Sequence, residues 1–103
     1  MAHDYEAQRL GTFESFALMG QGLPERALVA FQFVAEDIKP DFRAAEKALV
    51  LAGFTVRIDP AEGMLEALVG PVGLTAAEVW RWERLATEAV VGLEFWPDGW
   101  EVE

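Results

Sequence analysis

No cysteine occurs among the 103 residues, which excludes disulfides, thiolate nucleophiles and Cys-ligated zinc or iron–sulfur centres. Histidine is nearly absent: the single His3 builds no multi-histidine metal site and, alone, no catalytic dyad, so no metal or cofactor is expected. Basic residues are scarce, eight against eighteen acidic ones for a net charge of -10. A surface of that sign repels phosphate backbones and anionic lipid, and direct nucleic-acid binding is not expected. No apolar stretch approaches the ~18 residues of a membrane span. The first residues lack the basic start and apolar run of a secretory signal, so the expected location is the cytoplasm.

Apolar side chains are plentiful, at 52% of residues with seven Phe and four Trp. Area scaling lets a chain of this length hide roughly 65% of its unfolded surface, enough for one ordinary core. The expectation is therefore a single domain over residues 1–103, and wholesale disorder is excluded because the apolar content offsets the entropy of ordering.

Along the chain, Leu10, Phe13, Phe16, Ala17 and Gly20 recur at helical spacing, predicting an amphipathic helix near residues 4–20 with those residues as its buried stripe. Met19-Gly20-Gln21-Gly22-Leu23-Pro24 stops it. Residues 27–35 alternate as a mostly buried strand with Gln32 as the polar exception. Asp41 starts a second helix, Phe42, Ala45, Leu49 and Ala52 form its core face, and Gly53 ends it. Residues 54–58 and 64–69 read as a hairpin turning through Asp59-Pro60-Ala61-Glu62-Gly63, with Gly70-Pro71-Val72-Gly73 closing the second strand. Thr75-Ala76-Ala77-Glu78 matches a capping box, in which Thr75 accepts from the Glu78 amide and the Glu78 side chain reaches back. The helix it starts is expected to bury Val79, Trp82, Ala86 and Ala89, flanked by Leu85 and Val90. After Gly92, Leu93 to Trp96 resumes strand character, and Pro97-Asp98-Gly99-Trp100 is either a bulge in one strand or a short hairpin. After the first helix the order is β, α, β, β, α, β. The expected fold class is α+β, a ferredoxin-like antiparallel four-stranded sheet with two helices on one face, plus an N-terminal helix.

Chemistry-bearing patterns are few. Asp98 with Glu101, or Asp59 with Glu62, are carboxylate pairs of the kind used in acid–base work, but with eighteen carboxylates such pairs arise by chance, and no nucleophile accompanies them. Gly20 with Gly22 and Gly70 with Gly73 match neither a P-loop nor a dinucleotide fingerprint. No catalytic residues are assigned. Trp80 lies roughly 160° around the helix from Trp82, so a core built on Trp82 leaves Trp80 outside, as a surface residue or an interface anchor. Trp96 and Trp100 flank the Pro97-Asp98-Gly99 bend, either filling the core edge or forming an acidic-aromatic docking patch with Asp98, Gly99 and Glu101.

Asp98-Gly99-Trp100-Glu101, at the end of a small acidic domain, resembles the Asp-Gly-Trp signature of the regulator of ribonuclease activity B family, inhibitors of ribonuclease E. Leu18-Met19-Gly20 before Leu23-Pro24, the strand Val29 to Val34, and Phe42-Arg43-Ala44-Ala45-Glu46 with Ala52-Gly53-Phe54-Thr55-Val56 are similar to other parts of the family pattern, whereas Pro97 stands where the family usually has Tyr. The resemblance implies a non-enzymatic regulator of RNA turnover that binds a protein, with ribonuclease E as the partner. The candidate partner-binding residues are Trp80, Trp96, Asp98, Gly99, Trp100 and Glu101. The alternative is a homodimeric ferredoxin-like module paired through its uncovered sheet face, with or without a small ligand.

Overall fold

A computed structural model describes residues 3–19 and 22–103. Gly20 and Gln21, part of the expected helix stop, lie outside the described residues. The elements run α1 (Tyr5–Met19), β1 (Arg26–Ala35), α2 (Phe42–Leu51), β2 (Thr55–Asp59), β3 (Met64–Gly73), α3 (Ala76–Val90), a 3₁₀ turn (Val91–Leu93) and β4 (Phe95–Val102). The four strands form one antiparallel sheet in the order β2-β3-β1-β4. This is an α+β architecture of one sheet and three helices.

Local chemistry accounts for most boundaries. Asp41 caps α2 by accepting from the Ala44 amide (3.0 Å), and Gly53, at φ 101°, releases the chain into β2. Asp59 accepts from the Glu62 amide (3.3 Å) and shapes the hairpin turn, so this carboxylate pair is structural. Thr75 caps α3 through the Glu78 amide (3.1 Å). The reciprocal half of the capping box is not made: the Glu78 carboxylate instead accepts from Trp82 Nε1 (3.0 Å) and Arg81 (2.9 Å).

The core lies between the sheet and α2 with α3. From β1, Val29, Phe31 and Phe33 point into it at 0% exposure, opposite Ala67 and Leu65 of β3. Ala45 and Leu49 of α2, and Val79, Ala86 and Val90 of α3, close it from the helix side. Phe54 meets Phe31 and Trp82 edge to face, at 6.4 and 5.9 Å.

Three expectations are corrected. β3 does not end at Val69 but runs on to Gly73, because a bulge lets its Gly70-Pro71 pass the Leu28 backbone between the pairs Ala27↔Val72 and Val29↔Val69. Only glycine fits there: at φ 145°, a Cβ on Gly70 would lie 2.7 Å from both the Ala27 carbonyl oxygen and Leu28 Cα. α3 is rolled relative to the expected stripe. Glu83 and Thr87 are buried with Val79, Ala86 and Val90, whereas Trp82 and Ala89 are half-buried and Leu85 is exposed. α1 packs on α3 rather than on the sheet, and of its expected stripe only Phe16 joins the core margin. Leu10 is exposed, Phe13 is half-buried under the Arg9 guanidinium (5.2 Å), and the one fully buried α1 residue is Thr12. Polar groups on the two helices satisfy one another, a pairing that hydrophobic periodicity does not register.

On the other sheet face, Arg57 of β2 bonds Glu66 of β3 (3.0 Å) and reaches diagonally to Glu103 beside β1 (2.5 Å), while Gln32 donates to Glu66 (3.4 Å). Ala30 and Leu68 occupy the row between and are buried.

Candidate functional site

The segment 96–101 forms most of β4, a single bulged strand rather than a hairpin. Gln32 of β1 pairs with Gly99 and the next residue, Phe33, with Pro97, so Asp98 is the extra residue and is exposed. Gly99 supplies the required backbone angle at φ 128°. The bulge also inverts the side-chain parity of the strand. Trp96 therefore pairs with Val34 on the face away from the helices, and Trp100 pairs with Phe31 on the helix side. Trp100 stacks on Phe16 of α1 (6.3 Å, 19°), and Trp96 lies 6.0 Å from the His3 ring. Both indoles are half-buried, and among the described residues neither Nε1 has a hydrogen-bond partner. Glu101 is exposed opposite Ala30, bordering a hollow with Gln32 and Arg57.

Trp80 stands apart from this segment. It is half-buried, on the flank of α3 that also carries Glu83 and Thr87, three and seven residues along. It borders a separate hollow with Arg84 and Leu85, to which β4 contributes nothing. The expected docking residues are thus gathered on one strand, except for Trp80.

The structure adds a feature that the sequence pattern does not announce. Where α1 crosses α3 beside β4, Glu83 is 4% exposed. Its Oε1 accepts from the Thr12 hydroxyl and its Oε2 from Gln8 Nε2 (3.2 Å). The Gln8 amide also donates to Thr87 Oγ1 (2.9 Å), which in turn donates to the Glu83 carbonyl (2.8 Å). His3 Nε2 donates to Gln8 Oε1 (2.7 Å) and completes the chain of bonds. Burial pushes the Glu83 carboxyl above its ordinary range, opposed by the hydrogen bonds from Thr12 and Gln8 and by the field of His3.

Glu83 is not sealed in. It borders a cleft of about 490 Å³ whose far wall is Pro97, Gly99 and Trp100 of β4. Gly99 and Trp100 of the Asp-Gly-Trp segment and the buried carboxylate therefore share one concavity. Chemically, such an arrangement can accept a positively charged group or hold a proton. The one sequence signal for it was the spacing itself, Gln8 with Thr12 and Glu83 with Thr87, each four residues apart on its helix. No helix among the described residues is long and apolar enough to cross a membrane. In comparisons with known proteins, the chain matches no family model, and no curated protein is detectably similar to it.

Proposed function

We propose that the chain is a non-enzymatic acidic regulatory module of ferredoxin-like βαββαβ arrangement, acting in the cytoplasm by docking on a basic face of another protein. Ribonuclease E, and through it RNA turnover, is the partner to which the resemblance of Asp98-Gly99-Trp100-Glu101 points. The strand order β2-β3-β1-β4, with α2 and α3 packed together against the sheet, supports the split βαβ arrangement.

One observation carries the docking reading: the β4 bulge holds Asp98 out of the ladder, flanked in sequence by the half-buried Trp96 and Trp100 on opposite faces of the strand, with Glu101 exposed three residues on. Trp96 shares its face with Glu101 and lies two residues from Asp98, a half-buried aromatic with acidic groups at its rim, which suits a basic surface. The charge balance supports it. Four of the eight basic residues, Arg9, Arg57, Arg81 and Arg84, are already paired within the chain, and among the described residues neither Asp98 nor Glu101 has an ion-pair partner. The homodimer alternative has less support, since the uncovered sheet face carries Gln32, Arg57, Glu66, Glu101 and Glu103, which a second copy would have to desolvate.

The test is binding of the wild type and of Asp98→Lys with Glu101→Lys to immobilised ribonuclease E, read with an RNA-cleavage assay. The expected result is wild-type binding that weakens with salt, and a loss of at least about tenfold, 1.4 kcal/mol, in the doubly reversed variant. Both positions are exposed, so thermal stability should hold. Failure of the wild type to bind, or full binding by the charge-reversed variant, overturns the reading, and a concentration-dependent dimer in sedimentation velocity favours the alternative.

A further inference from the structure

Among the described residues Glu83 is a buried carboxylate that no lysine or arginine meets, and the one imidazole whose field reaches it, His3, bonds Gln8 rather than the carboxylate. The five ion pairs of the described residues do not include it. The two nearby arginines of the α1–α3 face are committed elsewhere: Arg9 to Glu6 and the Phe13 ring, Arg84 to Glu88 and the Tyr5 ring. Thr12 and Gln8 offer only neutral donors, and an ionised carboxylate held in that way is expensive. Each carboxylate oxygen accepts two hydrogen bonds, and Thr12 and Gln8 use one on each, so one site per oxygen remains.

The space to use those sites is present. Along α1 the cleft wall includes, beside Gln8 and Thr12, a line of small residues four apart, Ala7, Gly11 and Ser15. A Cβ on Gly11 would meet nothing within 4 Å. Among the described residues the cleft lining holds two carboxylates, Asp4 and Glu83, one imidazole, His3, and neither lysine nor arginine. Opposite, Pro97 and Trp100 offer apolar surface to the stem of a long side chain.

We infer that this cleft receives an arginine side chain of the protein partner, its guanidinium against Glu83. A planar fork with two parallel donors matches two free acceptor sites on one carboxylate, whereas an ammonium presents a single point charge. The inference rests on the docking reading above and gives that partner a specific recognition element.

The experiment is a titration of the ¹⁵N-labelled full chain with Nα-acetyl-arginine methylamide, followed by amide and indole NMR signals, with the citrulline analogue as the neutral isostere. Saturable shifts are expected at Gly11, Gly99 and the Trp100 indole with arginine and not with citrulline. Glu83→Gln should weaken arginine binding at least about tenfold, the effect of removing one charge-assisted pair. Gly11→Leu, which fills the groove without touching the Glu83 bonds and replaces glycine by a better helix former, should abolish it and weaken binding of the protein partner as well. Equal binding of citrulline, shifts confined to other surfaces, or unchanged affinity in Gly11→Leu overturns the assignment. If ribonuclease E binds while the arginine probe does not, the cleft assignment fails and the docking reading stands. If the probe binds as expected and no protein partner does, the docking reading fails, and with it the partner's arginine as the occupant.

Discussion

Thr12→Val tests the buried seam most directly. The substitution keeps the shape of the side chain and removes one hydroxyl, whose only recorded hydrogen bond is the one donated to Glu83 Oε1. Thr12 and Glu83 are each 4% exposed, so water entering from the cleft replaces the lost donor only in part. A hydrogen bond to a charged group contributes about 2 kcal/mol, and near 6 °C per kcal/mol for a domain of this size the melting temperature should fall by roughly 10 °C at neutral pH. The loss must depend on the charge of its partner. When Glu83 is protonated the bond is neutral, and the effect of Thr12→Val should shrink to about 1 kcal/mol. The same reduction should be seen at neutral pH in a Glu83→Gln background, giving a coupling of about 1 kcal/mol in a double-mutant cycle. Urea denaturation followed by circular dichroism measures all four corners, and hydrogen exchange of the α1 amides shows whether the helix loosens before the core. A Thr12→Val protein as stable as wild type at neutral pH, or additive losses in the cycle, would refute a hydroxyl–carboxylate bond at this seam.

Two further predictions follow from individual residues. Because burial raises the Glu83 pKa, the folded chain holds that proton more tightly than the unfolded one; this stabilisation is complete below the ordinary carboxylate range and is lost as pH rises through the raised value. Glu83→Gln should therefore gain stability relative to wild type as pH goes from acid to neutral, and a difference that is flat or of opposite sign across urea titrations contradicts the burial argument. Gly99→Ala meets only a positive φ, with its Cβ 3.6 Å from Gln32 Oε1, and should lose about 1–3 kcal/mol. Gly70→Ala adds to that a Cβ 2.7 Å from β1 backbone, and should be markedly less stable in the same urea assay; equal midpoints for the two variants would mean that the strands do not approach as described.

The elements that were legible in the sequence are those whose burial is apolar and whose ends carry their own chemistry. The period-two run of β1, the Asp41 cap and Gly53 exit of α2, and Thr75 before α3 each signal locally, and the structure keeps them all. The irregularity from Trp96 to Glu101 was legible for the same reason, since a Pro-Asp-Gly between tryptophans signals a break in the strand without tertiary information, and the structure makes it a bulge. What failed was the orientation of α1 and of α3. Leu10 and Leu18, at 54% and 83% exposure, look outward, while Gln8, Thr12, Glu83 and Thr87 look inward. Apolar periodicity assigns a buried face on the assumption that polar side chains prefer water, and that assumption breaks where two polar faces meet and satisfy each other. The roll of α3 by which Glu83 displaces Trp82 from the fully buried stripe is the same event that opens the cleft beside β4, because α1 then seats on a carboxylate and a hydroxyl and presents Ala7, Gly11 and Ser15 to the gap. The hydrophobic pattern was thus misleading where the two helices meet through polar side chains, and there the chain combines a buried carboxylate, an open groove and the bulge of β4.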